Sequence, residues 1–190
     1  VTGRCPPITR FPFRPVDPAP GTAGTLLASV QKGLGMVPNM AGAMANSPAV
    51  LRSWVQFNAA LGGGELPAAI RERIALLTAE TNECGYCLSA HTALGRMAGL
   101  DADEIESARD AQASDPRALA ALTFTQRLLE TGGGVDASDI DSVRDAGYTD
   151  GQIAEIVGAV ALNAFTNLFN RAFDVEIDFP RVEPRALPGR

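Results

Sequence analysis

Two cysteines and the only histidine of the chain fall within one short run, Cys-Gly-Tyr-Cys-Leu-Ser-Ala-His, from Cys84 to His91. If this run is helical, the spacings of three and four residues place Cys84, Cys87 and His91 on one helix face. A rise of about 1.5 Å per residue puts Cys84 roughly 10 Å from His91 along the axis, whereas Cys87 is about one turn away. His91 can therefore act as a base toward Cys87, directly or through one water, but hardly toward Cys84.

Each cysteine has its own route to the reactive thiolate. Thr81 or Asn82 is a predicted N-cap that would place Cys84 in the first turn, where the positive end of the helix dipole favours a thiolate. His91 favours the thiolate of Cys87 instead. The pair can form a disulfide only where the helix is adjustable, because helical Cβ atoms three residues apart are about 5–6 Å apart and a disulfide needs roughly 3.5–4.5 Å. The residues alone leave the choice between the two thiols open.

Composition restricts the class of protein. A chain of 190 residues with 46% hydrophobic content predicts one domain with a real core. The net charge of −6 and the pI near 4.8 argue against nucleic acid and an anionic membrane as partners. The most apolar run, 153–169, is short for a membrane span and is interrupted by Glu155 and Asn163. Three cysteines, one of them Cys5, do not form a secreted disulfide framework, so a reducing compartment such as the cytoplasm is expected.

Helical periodicity and capping signals predict an all-α chain. Residues 1–20 form a proline-rich arm, residues 21–174 the helical domain and residues 175–190 an extended tail. No alternating strand pattern precedes the tail, so the sheet that a thioredoxin-like scaffold requires is not expected around the cysteine pair. The predicted helices span 22–35, 48–61, 66–80, the cysteine segment up to Gly99, and three segments that begin after Asp101, Asp115 and Thr149, the last reaching Phe173.

Glu72 is the only charge in an apolar stripe on the helix that precedes the cysteines. A carboxylate in such a stripe is either paired or functional. One interpretation pairs it with an arginine such as Arg171. The other places it beside His91, where it would complete a relay of Cys87, His91 and Glu72.

These residues resemble the AhpD-like alkylhydroperoxidase group of the carboxymuconolactone decarboxylase family. The similarity covers roughly residues 35–174 and is carried by Arg71-Glu72, the run from Cys84 to His91, Gly99-Leu100, Ala146-Gly147-Tyr148-Thr149 and Asn170-Arg171. Some members carry a second histidine between the cysteines, where this chain has Tyr86. The resemblance implies a bundle of about nine helices that assembles as a homo-oligomer.

The resemblance also implies a reaction. Cys87 would attack the peroxide and become a sulfenic acid, Cys84 would resolve it as a disulfide, and His91 with Glu72 would form the proton relay. An external dithiol would then reduce the disulfide. The expected partners are thus a hydroperoxide and a dithiol reductant, and no cofactor or metal is needed.

Two other functions remain open. One is a cofactor-free decarboxylase or lactone-processing enzyme, although such members of the family generally lack the cysteine pair. The other is a non-catalytic zinc site built from Cys84, Cys87, His91 and Glu72 or Glu80. A polar stripe of Asn163, Asn167 and Asn170 on the last helix is interpreted as satisfying buried backbone groups or an oligomer interface.

Overall fold

The computed structural model describes residues 21–185 together with Arg10 and Pro12. In these ranges the chain forms nine helices and no strand, which confirms the all-α prediction. The helices are α1 Thr22–Leu34, α2 Asn39–Met44, α3 Pro48–Gly62, α4 Ala68–Thr81, α5 Gly85–Met97, α6 Ala102–Arg109, α7 Pro116–Thr131, α8 Ala137–Asp145 and α9 Asp150–Phe173.

Local capping chemistry explains most helix starts. Asp101 and Glu104 form a reciprocal capping box at α6, and Thr149 and Gln152 form another at α9. The Ser47 side chain accepts a hydrogen bond from the Val50 amide at the start of α3. These starts were predicted from the sequence and are confirmed.

The predicted start of the cysteine helix is wrong. Helix α4 continues through Thr81, and Asn82 is its C-cap. Glu83 then adopts a left-handed backbone with φ of 52°, which turns the chain sharply. Cys84 is itself the N-cap of α5, and its Sγ accepts a hydrogen bond from the Cys87 amide at 3.3 Å.

Helix α4 lies at the centre of the bundle, in contact with α5, α6, α7 and α9. It is buried from Arg73 to Glu80, because neighbours cover it on every side. It joins two hydrophobic clusters, contributing Leu76 and Leu77 to one and Ile70 and Ile74 to the other. This central position places its side chains against α5.

The charged groups within the buried part of α4 are paired. Glu80 Oε2 accepts from Arg109 Nε of α6 at 2.6 Å, and Arg73 Nη2 donates to Glu104 Oε1 at 2.5 Å. Pairing offsets the cost of removing such charges from water. The two ion pairs connect α4 to α6 and hold the framework behind α5.

Residues 175–185 contain no helix or strand and run along the start of α5. Asp178 Oδ2 accepts from the Asn39 amide at 2.8 Å, and the Val182 amide donates to Ser89 Oγ at 2.9 Å. The Arg185 amide donates to Glu80 Oε1 at 2.7 Å. The described part of the tail is thus bonded to the domain at three separated points.

Two described residues of the N-terminal arm also contact the domain. The Arg10 amide donates to the Phe173 carbonyl at 2.9 Å, and the Pro12 carbonyl accepts from Asn46 Nδ2 at 2.6 Å. Cys5 lies outside the described residues.

Helix α9 is long and apolar enough, by length and composition, to cross a membrane. It packs against α3, α4, α5, α7 and α8, and it buries Asn163, Asn167 and Asn170. These contacts are those of a core helix of a bundle.

Candidate functional site

Cys84 and Cys87 form a disulfide at the start of α5, with their Cα atoms 5.3 Å apart. Cys84 has an extended backbone, with φ of −95° and ψ of 91°, because it precedes the first helical residue. This position frees the pair from the fixed spacing of helical neighbours. The two side chains are 1% and 2% exposed, so any reagent must reach them through an opening.

His91 lies one helical turn after Cys87 on α5. Its Nδ1 is 2.8 Å from Glu72 Oε2 of α4, and each side chain is about one-fifth exposed, at 20% and 19%. A neutral imidazole with its proton on Nδ1 donates to the carboxylate and keeps a lone pair on Nε2. The structure thus brings together His91 and Glu72 as the relay interpretation requires.

The alternative pairing of Glu72 with Arg171 is wrong. Arg171 Nη1 donates to the Asn82 carbonyl at 2.6 Å, and Arg171 Nη2 lies 3.5 Å from Glu83 Oε2. Both contacts lie at the end of α4, because Arg171 belongs to the last turn of α9. Glu72 lies near the start of α4 and contacts α5 instead.

A cavity of about 230 Å³ opens beside the disulfide. Cys87 and His91 line it, whereas Cys84 is not among its lining residues. The rest of the wall is mainly apolar and comes from the end of α1, the α1–α2 loop, α2, α3, α5, α9 and the tail. It includes Met36, Met40, Trp54, Leu94, Leu162 and Phe179. Access from this cavity therefore distinguishes the two cysteines.

Asn170 of α9 also contacts the disulfide. Its Nδ2 donates to Cys87 Sγ at 3.3 Å and is equally 3.3 Å from Met40 Sδ. The side chain is 3% exposed, and its Oδ1 has no hydrogen-bond partner among the described residues. Asn163 instead donates to the Ala159 carbonyl at 2.9 Å, which confirms the backbone-satisfying role for that residue only.

The contact of Asn170 with Cys87 was not predicted from the sequence. The only available signal was an amide side chain at a position where the helix period requires an apolar one. Which sulfur or carbonyl it reaches depends on how α9 packs against α5.

Tyr86 closes one side of the cavity. Its hydroxyl accepts a hydrogen bond from the Met40 amide at 3.3 Å, and its ring meets Phe179 edge-on with centroids 5.8 Å apart. Burial raises the pKa of the Tyr86 phenol far above its ordinary range, and the Asp178 carboxylate raises it further. The phenol is therefore neutral, and Tyr86 packs in the wall of the cavity.

The described residues contain no group of three or more histidine, cysteine, aspartate or glutamate side chains arranged to hold a metal ion. The proposed zinc ligands have other partners in this structure. Glu72 bonds to His91, Glu80 bonds to Arg109, and the two cysteines bond to each other.

Comparisons with known proteins agree with this fold. The model of the carboxymuconolactone decarboxylase family matches residues 48–127, a range that holds Glu72, both cysteines and His91. Among curated proteins, none matches the chain.

Solved structures resemble the chain over most of its length. A peroxidase-related protein with an alkylhydroperoxidase AhpD core from Ralstonia eutropha JMP134 is 25% identical, with a TM-score of 0.82 over 92% of this chain and 94% of its own. A peroxidase-related protein from Silicibacter sp. TM1040 is 26% identical, with a TM-score of 0.79 over 92% and 95%. The debrominase Bmp8 shares the fold alone, at 21% identity and a TM-score of 0.70 over 82% and 86%.

The all-helical bundle of this chain is thus an AhpD-like fold. Residues 48–127 match the carboxymuconolactone decarboxylase family, and the whole chain is similar to the AhpD-like, peroxidase-related proteins named above.

Proposed function

We propose that the protein is a cysteine peroxidase that reduces organic hydroperoxides, with Cys87 as the attacking thiol and Cys84 as the resolving thiol. The observation that carries the proposal is the position of Cys87 in the wall of a cavity that it shares with His91. Cys84 does not line that cavity and instead caps α5. A substrate in the cavity would meet Cys87 first.

The first half-reaction begins with proton transfer from the Cys87 thiol to Nε2 of His91, directly or through one water. The thiolate attacks the terminal oxygen of the hydroperoxide, so that an S–O bond forms and the O–O bond breaks. The alkoxide leaves with the bonding electron pair and takes the proton from His91 to become an alcohol. Glu72 holds the imidazole in the required tautomer through its bond to Nδ1.

The second half-reaction removes the sulfenic acid before it is oxidised further. Cys84 attacks the Cys87 sulfur, the S–S bond forms, and the sulfenic oxygen leaves as water. An external dithiol then reduces the disulfide by exchange and is itself oxidised. The product of this half-reaction would be a Cys84–Cys87 disulfide, the bond that the two cysteines form in this structure.

The wall of the cavity suits an organic hydroperoxide. Among the described residues that line it there is no arginine or lysine, and most of the lining side chains are apolar. Apolar side chains at the rim, including Leu34 at 47% and Met97 at 83% exposure, would contact an alkyl group that extends beyond the cavity.

The remaining parts of the proposal concern the setting of the reaction. A reducing compartment such as the cytoplasm would supply the dithiol. Homo-oligomers would cover the outer face of α9, where Val157 is 44% and Leu168 is 71% exposed.

The test is intact-mass analysis with thiol counting of the reduced protein before and after about one equivalent of cumene hydroperoxide. We expect rapid loss of two thiols as a Cys84–Cys87 disulfide. Cys87→Ser should abolish turnover, whereas Cys84→Ser should allow Cys87 to oxidise once and stop as a sulfenic acid. Sustained turnover in either variant, or unreacted thiols in the folded parent protein, would refute the assignment.

A further inference from the structure

Asn170 is the side chain of α9 that reaches the sulfur of Cys87. Its amide nitrogen lies 3.3 Å from Cys87 Sγ and 3.3 Å from Met40 Sδ, so both N–H groups of the amide have sulfur acceptors. A reduced, ionised Cys87 would be a stronger acceptor than a disulfide sulfur, because hydrogen bonds to charged acceptors are shorter and stronger. The donor is thus already directed at the atom on which negative charge must develop.

The other end of the same amide has no partner. Asn170 Oδ1 is buried, and no described residue donates a hydrogen bond to it. A buried carbonyl oxygen without a donor is unfavourable, and such groups call for an explanation in a folded protein. Asn170 lines the cavity, so a ligand with an O–H group can supply the missing donor.

We propose that Asn170 is a further catalytic residue, whose N–H stabilises the Cys87 thiolate and whose Oδ1 accepts a hydrogen bond from the terminal O–H of the hydroperoxide. This inference rests on the proposed peroxidase function. One rigid amide would hold the nucleophile and the electrophilic oxygen side by side, which is the arrangement that favours attack. When the S–O bond forms and the O–O bond breaks, the hydrogen stays on the transferred oxygen and becomes the sulfenic hydroxyl.

The donor half can be tested without any peroxide. In a Cys5→Ser, Cys84→Ser background only Cys87 remains to react, and its rate of alkylation by iodoacetamide against pH gives the midpoint of thiolate formation. We expect Asn170→Ala to raise this midpoint by about one pH unit, the effect of losing a hydrogen bond to a charged acceptor. Asn170→Asp keeps the shape but adds a like charge, so it should raise the midpoint further.

The acceptor half is tested by the rate constant for cumene hydroperoxide at a pH above every midpoint, where Cys87 is fully ionised in each variant. Asn170→Ala should still be slower than its parent by about tenfold, the value of one hydrogen bond at the reacting atoms. Asn167→Ala is the matched control, because Asn167 is 1% exposed on the same helix but does not line the cavity. It should change neither readout.

The outcomes separate this inference from the proposed function. An unchanged midpoint in a folded Asn170→Ala protein overturns the inference, whether or not peroxide reacts; if that variant does not fold, Asn170→Asp decides by the same criterion. If Asn170→Ala raises the midpoint but the parent does not react with peroxide, the peroxidase function and the acceptor role are both refuted. The donor role of Asn170 toward the Cys87 thiolate is then still supported. A full rate for Asn170→Ala at high pH overturns the acceptor role.

Discussion

Replacement of Glu72 by glutamine tests the proposed proton relay at the hydrogen bond between Glu72 and His91. Glu72 Oε2 lies 2.8 Å from His91 Nδ1, and no other hydrogen bond of Glu72 is present among the described residues. Glutamine keeps the size of the side chain but removes its charge, and its amide can turn either an oxygen or an NH₂ group toward the ring. His91 would then lose both its charged acceptor and its fixed tautomer.

The magnitude follows from the strength of that bond. A hydrogen bond to a charged group contributes about 1.5–3 kcal/mol, and each factor of ten in rate corresponds to about 1.4 kcal/mol. The two side chains are about one-fifth exposed, at 20% and 19%, so solvent weakens the interaction only in part. We expect oxidation of Cys87 at neutral pH to slow by about 10- to 100-fold.

The assay is a single turnover of the reduced protein with cumene hydroperoxide, stopped with acid at fixed times and analysed by intact mass. Glu104→Gln is the matched control, because Glu104 is also the partner of an α4 side chain, Arg73, and glutamine is accepted at that capping position. It should react at the rate of the parent protein. A folded Glu72→Gln protein that also reacts at the parent rate would remove Glu72 from the mechanism.

Three further predictions concern stability and selectivity. Arg109→Met leaves Glu80 buried without its charge partner, so the free energy of unfolding in urea should fall by about 3 kcal/mol. The second change Glu80→Gln should recover part of that loss. An Arg109→Met protein as stable as the parent would contradict the prediction. Because burial raises the pKa of Tyr86 above that of an unfolded tyrosine, the unfolded state loses its proton first as pH rises. The free energy of unfolding should therefore fall above about pH 10, and Tyr86→Phe should lessen that fall by about 1.4 kcal/mol per pH unit. Urea titrations of both proteins at about pH 9 and about pH 11 measure the fall, and an equal fall in both proteins would refute this prediction. Phe179→Ala removes an aromatic partner of Tyr86 worth about 0.5–1.5 kcal/mol and part of the cavity wall. Oxidation of Cys87 by cumene hydroperoxide should then slow more than its oxidation by hydrogen peroxide. An equal change in both rates would argue against contact between the wall and the alkyl group.

Features that depend on a few consecutive residues were predictable from the sequence. The capping boxes at Asp101 and Thr149 and the proline at the start of α3 give helix starts directly, because each cap satisfies backbone groups within its own turn. Helix α2 was missed, since its six residues, Asn39–Met44, are too few to show a helical period. Helix α8 was also missed; its capping box uses Asp139 in place of the usual glutamate or glutamine.

The start of α5 was predicted wrongly for a physical reason. Thr81 and Asn82 are favoured N-cap residue types, but α4 extends over them before the chain turns. The turn is made by Glu83, which has a positive φ of 52°. A glutamate does not predict such a turn, because glycine or asparagine is the residue usually found at positive φ. Cys84 thus became the N-cap, a position for which cysteine has no recognised preference.

The parts of the candidate site that lie on one helix could be predicted from the sequence, whereas the contacts between side chains of different helices could not. The spacing of Cys87 and His91 follows from the period of α5. The partner of Glu72 remained a choice between two residues, because both interpretations agree with the apolar face of α4. Asn170 contacts Cys87 across 83 positions in sequence, and only the packing of α9 against α5 makes that contact visible.

The two routes to a thiolate that compete in the sequence would serve different half-reactions of the proposed peroxidase. His91 and the cavity favour attack by Cys87, whereas the helix amide of Cys87 holds the Cys84 sulfur at 3.3 Å. In the proposed reaction an external thiolate would enter through the cavity and attack Cys87. The S–S bond would then break, and Cys84 would leave as a thiolate at the N-terminus of α5, where the helix dipole stabilises negative charge. A disulfide probe small enough for the cavity should therefore label Cys84→Ala, through Cys87, much faster than it labels Cys87→Ala, through Cys84. Faster labelling of Cys87→Ala would place the entry of the reductant at Cys84 and reverse the order of the exchange.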